Sequence, residues 1–137
     1  MSAGSLVVAY HGCDVTLRDD LVTGKIAHLN HSNNKYDWLG PGAYFFENDL
    51  ERALIFANAS ADAPEMQYSA QPITTPSAVG VILRVRNWID MTNQDGLQLF
   101  READEVLINS LVENRSEVPK NSPAHENDVD ILHRARD

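Results

Sequence analysis

Cysteine is nearly absent from the 137 residues: Cys13 stands alone, so no internal disulfide forms and no metal cluster of paired-cysteine spacing is available. Such a chain fits a reducing cytoplasm. Long apolar runs are missing too, since stretches such as Leu6-Val7-Val8-Ala9-Tyr10 fall far short of the ~20 residues a membrane span requires. No membrane partner is expected. Met1-Ser2-Ala3-Gly4 has no basic stretch ahead of an apolar one, which argues against a secretory leader. Positive charge is scarce. Eleven Lys and Arg against twenty Asp and Glu give a net charge of -9, so a nucleic-acid substrate would need a local basic groove. The balance otherwise suits a soluble enzyme or a partner of basic character. No internal repeat or low-complexity tract is present.

What remains is an ordinary globular composition, 43% apolar and 23% charged, which excludes disorder throughout. At ~100–200 residues per domain the length predicts one domain over 1–137, able to bury roughly two thirds of its unfolded surface. Residues 5–10 read as a buried strand broken by His11-Gly12. Asp14 then caps a short helix that places Leu17, Leu21 and Val22 on one face and ends at Gly24. Residues 28–42, rich in Asn, His, Ser and Gly, predict an irregular loop, because these side chains compete for backbone hydrogen bonds. Ala43-Tyr44-Phe45-Phe46 predicts a short strand, and Asn48 or Asp49 caps a helix carrying Leu50, Ala53, Leu54, Phe56 and Ala57.

Three prolines among polar residues make 58–77 a long exposed connection. Residues 78–85 are the clearest β run and continue toward Trp88-Ile89-Asp90-Met91. Thr92 or Asn93 starts the longest helix, with Leu97, Phe100, Val106, Leu107, Leu111 and Val112 near helical spacing, and Pro119 stops it. Residues 128–137 read as the opening of a further helix.

Two segments carry the candidate chemistry: Tyr10-His11-Gly12-Cys13 at the end of the first strand, and Gly40-Pro41-Gly42-Ala43-Tyr44-Phe45 some thirty residues later. Gly12 permits close approach of a ligand to the backbone, and Gly40 and Gly42 permit a tight turn that aims Tyr44 at a neighbouring strand. Taken alone, His11 reads more readily as a structural residue than as a ligand. The pairing of the two segments shifts that balance toward a shared cleft.

These motifs, with the helix over 50–57, resemble the ADP-ribosyltransferases of the diphtheria-toxin and poly-ADP-ribose-polymerase type. The run Asn33-x-x-Tyr36-Asp37-Trp38-Leu39-Gly40-x-Gly42-x-Tyr44-Phe45-Phe46-Glu47 is similar to a small bacterial family of that superfamily, of toxin or phage-defence character. The match covers the first sixty residues. It implies an α+β fold on a split, twisted antiparallel sheet, NAD as substrate, and transfer of ADP-ribose to an unknown acceptor, with an antitoxin or regulatory protein as a further partner. It also implies that Tyr44 and His11 serve catalysis and that His11, Gly12, Cys13, Tyr44 and Phe56 hold NAD. In this reading the Gly12 backbone meets the carboxamide, His11 a ribose hydroxyl, Tyr44 one face of the nicotinamide, and Phe56 or Ile55 the other.

The family's catalytic Glu belongs on a late strand, and no late strand is expected here, so beside that family the chain reads as an N-terminal fragment, a processed form or a degenerate paralogue. Glu47 and Glu51 read as poor substitutes. Cys13 stands where Ser or Thr is usual, and Pro41 where a basic residue is common; neither Cys13 as a nucleophile nor a metal site from His28, His31 and Asp37 is favoured. A non-catalytic module binding NAD, ADP-ribose or a partner is the competing reading. A third, removal of a phosphate from RNA by NAD-like chemistry, would draw on Arg84 and Arg86, which read more simply as surface ion pairs.

Overall fold

The computed structural model describes residues 4–32, 40–66, 69 and 71–118, and the backbone of 121–123 and 133–135. The fold is α+β. Its centre is strand β1 (Ser5–Asp14), flanked by β2 (Phe46–Glu47) and β3 (Pro76–Val85) in an antiparallel sheet of order β2-β1-β3. Helices α1 (Val15–Val22), α2 (Leu50–Asp62) and α3 (Gln94–Glu113) follow, with a short 3-10 turn at Pro64–Met66. No helix among the described residues is long and apolar enough to cross a membrane.

The first strand does not break at Gly12. It runs on to Asp14 because β3 pairs with it residue for residue, from Ser5↔Val85 to Asp14↔Pro76, so every peptide group facing β3 finds a partner. Three helix starts follow the local rule that a polar side chain accepts an orphan backbone N–H: Asp14 from Thr16, Asp49 from Arg52, and Asn93 from Gly96.

Other expectations are corrected. Val22 is 72% exposed, because it lies one residue past Leu21 and so about 100° around the helix from the stripe that Leu17 and Leu21 share. The strand over 43–46 shrinks to Phe46–Glu47, which pair only with Tyr10 and Ala9; the backbone carbonyl of Tyr44 is taken by a side chain instead. Helix α2 extends past Ala57 to Asp62, carried by the Ala-rich 57–61 stretch, while Leu50 is exposed. The connection after it is not wholly exposed, since Ile73 is buried.

Residues 88–91 leave the sheet, with Trp88, Ile89 and Met91 exposed. At the end of the chain two strands, β4 (Asn121–Pro123) and β5 (His133–Ala135), pair with each other. Late strands therefore exist, and 133–135 is strand where a helix was expected. These six residues include no Asp or Glu. The Tyr36-Asp37-Trp38-Leu39 part of the motif lies outside the described residues.

The core is built of small residues: Ala53 and Ala57 of α2 and Ala9, Cys13 and Val79 of the sheet are buried, and α2 comes close to β1 at Gly12. A Cβ on Gly12 would collide with the backbone carbonyl oxygen of Ala53 and press on the Phe56 ring. Here glycine is needed for space and not for its φ.

Candidate functional site

A cavity of about 360 Å³ opens beside the C-terminal half of β1, within the size range of small-molecule sites. His11, Gly12, Cys13, Tyr44 and Phe56 all line it. The two motifs thirty residues apart thus meet at one place. Glu47 and Glu51 are exposed and neither they nor Pro41 line the cavity; Ile55 is 60% exposed, so Phe56 alone of that pair reaches it.

The strand geometry determines which way the Gly12 peptide groups point. Val8 O accepts from Asn48 N on the β2 side, and Val15 N donates to Thr75 O on the β3 side. Hydrogen-bonding direction alternates along a strand, so even-numbered β1 residues turn their N–H and C=O toward β2. Strand β2 pairs only as far as Tyr10. Gly12 therefore presents a backbone donor and an acceptor at an edge where the neighbouring strand has already ended.

His11 Nδ1 lies 2.8 Å from Tyr44 O. A carbonyl oxygen only accepts, so Nδ1 carries the hydrogen and the neutral ring keeps its lone pair on Nε2. The ring also stands 5.8 Å from that of Phe45 in a tilted contact. Tyr44 is held at its other end as well, its hydroxyl donating to Gly40 O at 2.6 Å, and Gly40 takes the positive φ of 86° that this turn demands. Tyr44 is thus held through its backbone carbonyl and, at the far end of its ring, through its hydroxyl. Phe56 is steadied by Phe46, whose ring lies 6.1 Å away at 52°.

Asp14 is the one carboxylate among the described lining residues, and its oxygens are committed. One accepts from Thr16 N, and the other from Thr74 N, Thr74 Oγ1 and Thr75 N at 2.9–3.1 Å. These donors, the Thr75 N–H foremost, hold its carboxyl well below the usual carboxylate range. A group so lowered on folding contributes stability above its unfolded value of ~3.9, and the contribution fades as pH falls below that. Asp14→Ala is accordingly expected to melt at lower temperature than the parent at pH 7, with the gap closing progressively below about pH 4. Thermal melts followed by circular dichroism at pH 7, 5 and 3 check this; a gap that stays constant would refute it.

Burial pushes the Cys13 thiol above its ordinary value, the backbone N–H of Arg18 pulling less strongly the other way. That thiol is a poor nucleophile at neutral pH. His28 and His31 also border the cavity; among the described residues no three His, Cys, Asp or Glu side chains cluster as metal ligands would.

Several lining residues escaped the sequence reading, chiefly Leu17, Ile26 and Ile73. Ile73 left a faint signal as a lone large apolar residue between Pro72 and Thr74 in a polar stretch. Comparison with models of protein families, with curated proteins and with solved structures finds no match.

Proposed function

We propose that the cavity is the nicotinamide end of an NAD site, on a split-sheet fold of the ADP-ribosyltransferase kind, in a protein of bacterial toxin or phage-defence type. The observation that carries this reading is the convergence of His11, Gly12, Cys13, Tyr44 and Phe56 on one cavity. The Gly12 N–H and C=O match the acceptor and donor of a carboxamide. The pinned Tyr44 ring and Phe56 supply apolar faces for a flat heterocycle, and His11 Nε2 accepts from a ribose hydroxyl. NAD would be cleaved to nicotinamide and its ADP-ribose passed to an acceptor.

A second reading, binding of NAD or ADP-ribose without turnover, is favoured by one specific observation. The single described carboxylate at the cavity, Asp14, has its oxygens engaged by Thr16, Thr74 and Thr75. Among the described residues, a sugar developing positive charge would find no carboxylate with a free oxygen there. In this reading the transferase needs its carboxylate from elsewhere.

Titration with NAD or nicotinamide, followed by NMR, tests the site common to both readings. The signals of Gly12, Tyr44 and Phe56 are expected to shift first, while those of 94–113 stay in place. Shifts confined to 94–113 would sink the assignment.

A further inference from the structure

Two apolar surfaces of this chain have no cover among the described residues. One lies on the sheet, where Leu6, Val8 and Ile82 are 68%, 46% and 73% exposed. Val8 pairs with Ile82 and Leu6 with Arg84, so these four side chains stand on one face of the pleat. The other is the stripe of α3: Leu97, Phe100, Leu107 and Leu111 repeat at alternating spacings of three and four, with Asp104 completing the series. Phe100 and Leu107 are 53% and 52% exposed, and no described element packs against α3.

The surfaces are complementary in charge. Each carries one charge within its apolar field, of opposite sign: Arg84 on the sheet and Asp104 on the helix. Neither makes an ion pair with a described residue. Arg86 adds to the positive rim, while α3 carries Asp95, Glu102, Asp104, Glu105 and Glu113 against Arg101.

The helix is also held away from its own sheet. Asp90 accepts from Thr92 N, Thr92 Oγ1 and Asn93 Nδ2 at 2.6–3.0 Å, and its carbonyl sits where a Cβ of Gly96 would stand. This tight corner sets the direction in which α3 leaves.

We propose that α3 of one copy docks on the Leu6-Val8-Ile82 face of a second copy, and the reverse, forming a reciprocal dimer with Asp104 of each chain paired to Arg84 of the other. Both halves of the interface are present in one chain, so no other protein is required. The net charge of -9 opposes association only at long range, and at physiological salt its reach is screened to about 8 Å.

Sedimentation of the intact chain over a concentration series tests the proposal. The parent is expected at the mass of two chains. Ile82→Asp and Leu107→Asp, both at exposed positions, are each expected at the mass of one chain with unchanged circular dichroism. Their equimolar mixture is expected to regain the two-chain mass, because the intact α3 of the first fits the intact sheet face of the second. If either substitution disturbs the fold, Leu6→Asp and Phe100→Asp repeat the test. A parent of one-chain mass at every concentration overturns the proposal. So does a dimer broken by Leu107→Asp but not by Ile82→Asp, which would mean helix paired with helix, and so does a mixture that stays monomeric.

Discussion

Gly12→Ala is expected to lower the melting temperature by about 5–10 °C and to abolish measurable NAD binding. The added Cβ would collide with the carbonyl oxygen of Ala53, a backbone atom in the first turn of α2 that cannot swing aside as a side chain could. Strand β1 is pinned to β3 over ten residue pairs, so the strain must move the helix. Overpacking of this kind costs about 1–3 kcal/mol, a large part of the margin of a small domain. Phe56 would move with the helix, and the cavity it lines would change shape. Gly12→Val is expected to leave little folded protein.

Gly42→Ala is the matched control. Gly42 borders the same cavity, yet its added methyl meets nothing within 4 Å, so its melting temperature should stay within the small range usual for surface changes. Thermal melts and NAD titration of the three variants check the contrast. Equal stability of Gly12→Ala and the parent would show that α2 does not press on β1 as described.

The other large effect concerns rate. Nicotinamide release from NAD by the 137-residue chain is expected to stay close to the uncatalysed background, although NAD binds. In the proposed site Tyr44, Gly12 and Phe56 would hold ground state and transition state alike, and uniform binding of that sort does not accelerate chemistry. Acceleration needs a group facing the ribose as charge develops, and removing one such preorganised electrostatic group ordinarily costs about 10²–10³ in rate.

The described carboxylates do not supply it: Asp14 is engaged by Thr16, Thr74 and Thr75, and Glu47 and Glu51 are exposed away from the cavity. An assay of nicotinamide release for the parent, Glu47→Gln and Asp14→Asn decides the matter. A fast parent rate lost in Glu47→Gln would show that the carboxylate had moved to β2. Addition of the carboxylate-bearing strand that the resemblance implies is expected to raise the rate by the same factor of about 10²–10³.

The parts of this protein that its sequence determined are those that depend on neighbours along the chain. Asp14, Asp49 and Asn93 start helices because each side chain reaches a backbone N–H two or three residues ahead, an interaction that requires no partner from elsewhere. The β run at 78–85 and the helix beginning after Asn93 were legible for the same local reason.

Tertiary structure decided what depends on distant pairing. It gave Asp14 a second set of donors sixty residues away at Thr74 and Thr75, carried β1 through Gly12 by its register with β3, and joined His11 to the carbonyl of Tyr44. It also left the stripe of α3 without cover among the described residues, although the spacing of Leu97, Phe100, Leu107 and Leu111 is that of a buried helix. Periodicity says that a face is apolar, but what covers it depends on where the chain crosses itself, and that crossing is set by sheet register and by turns such as the Asp90 corner.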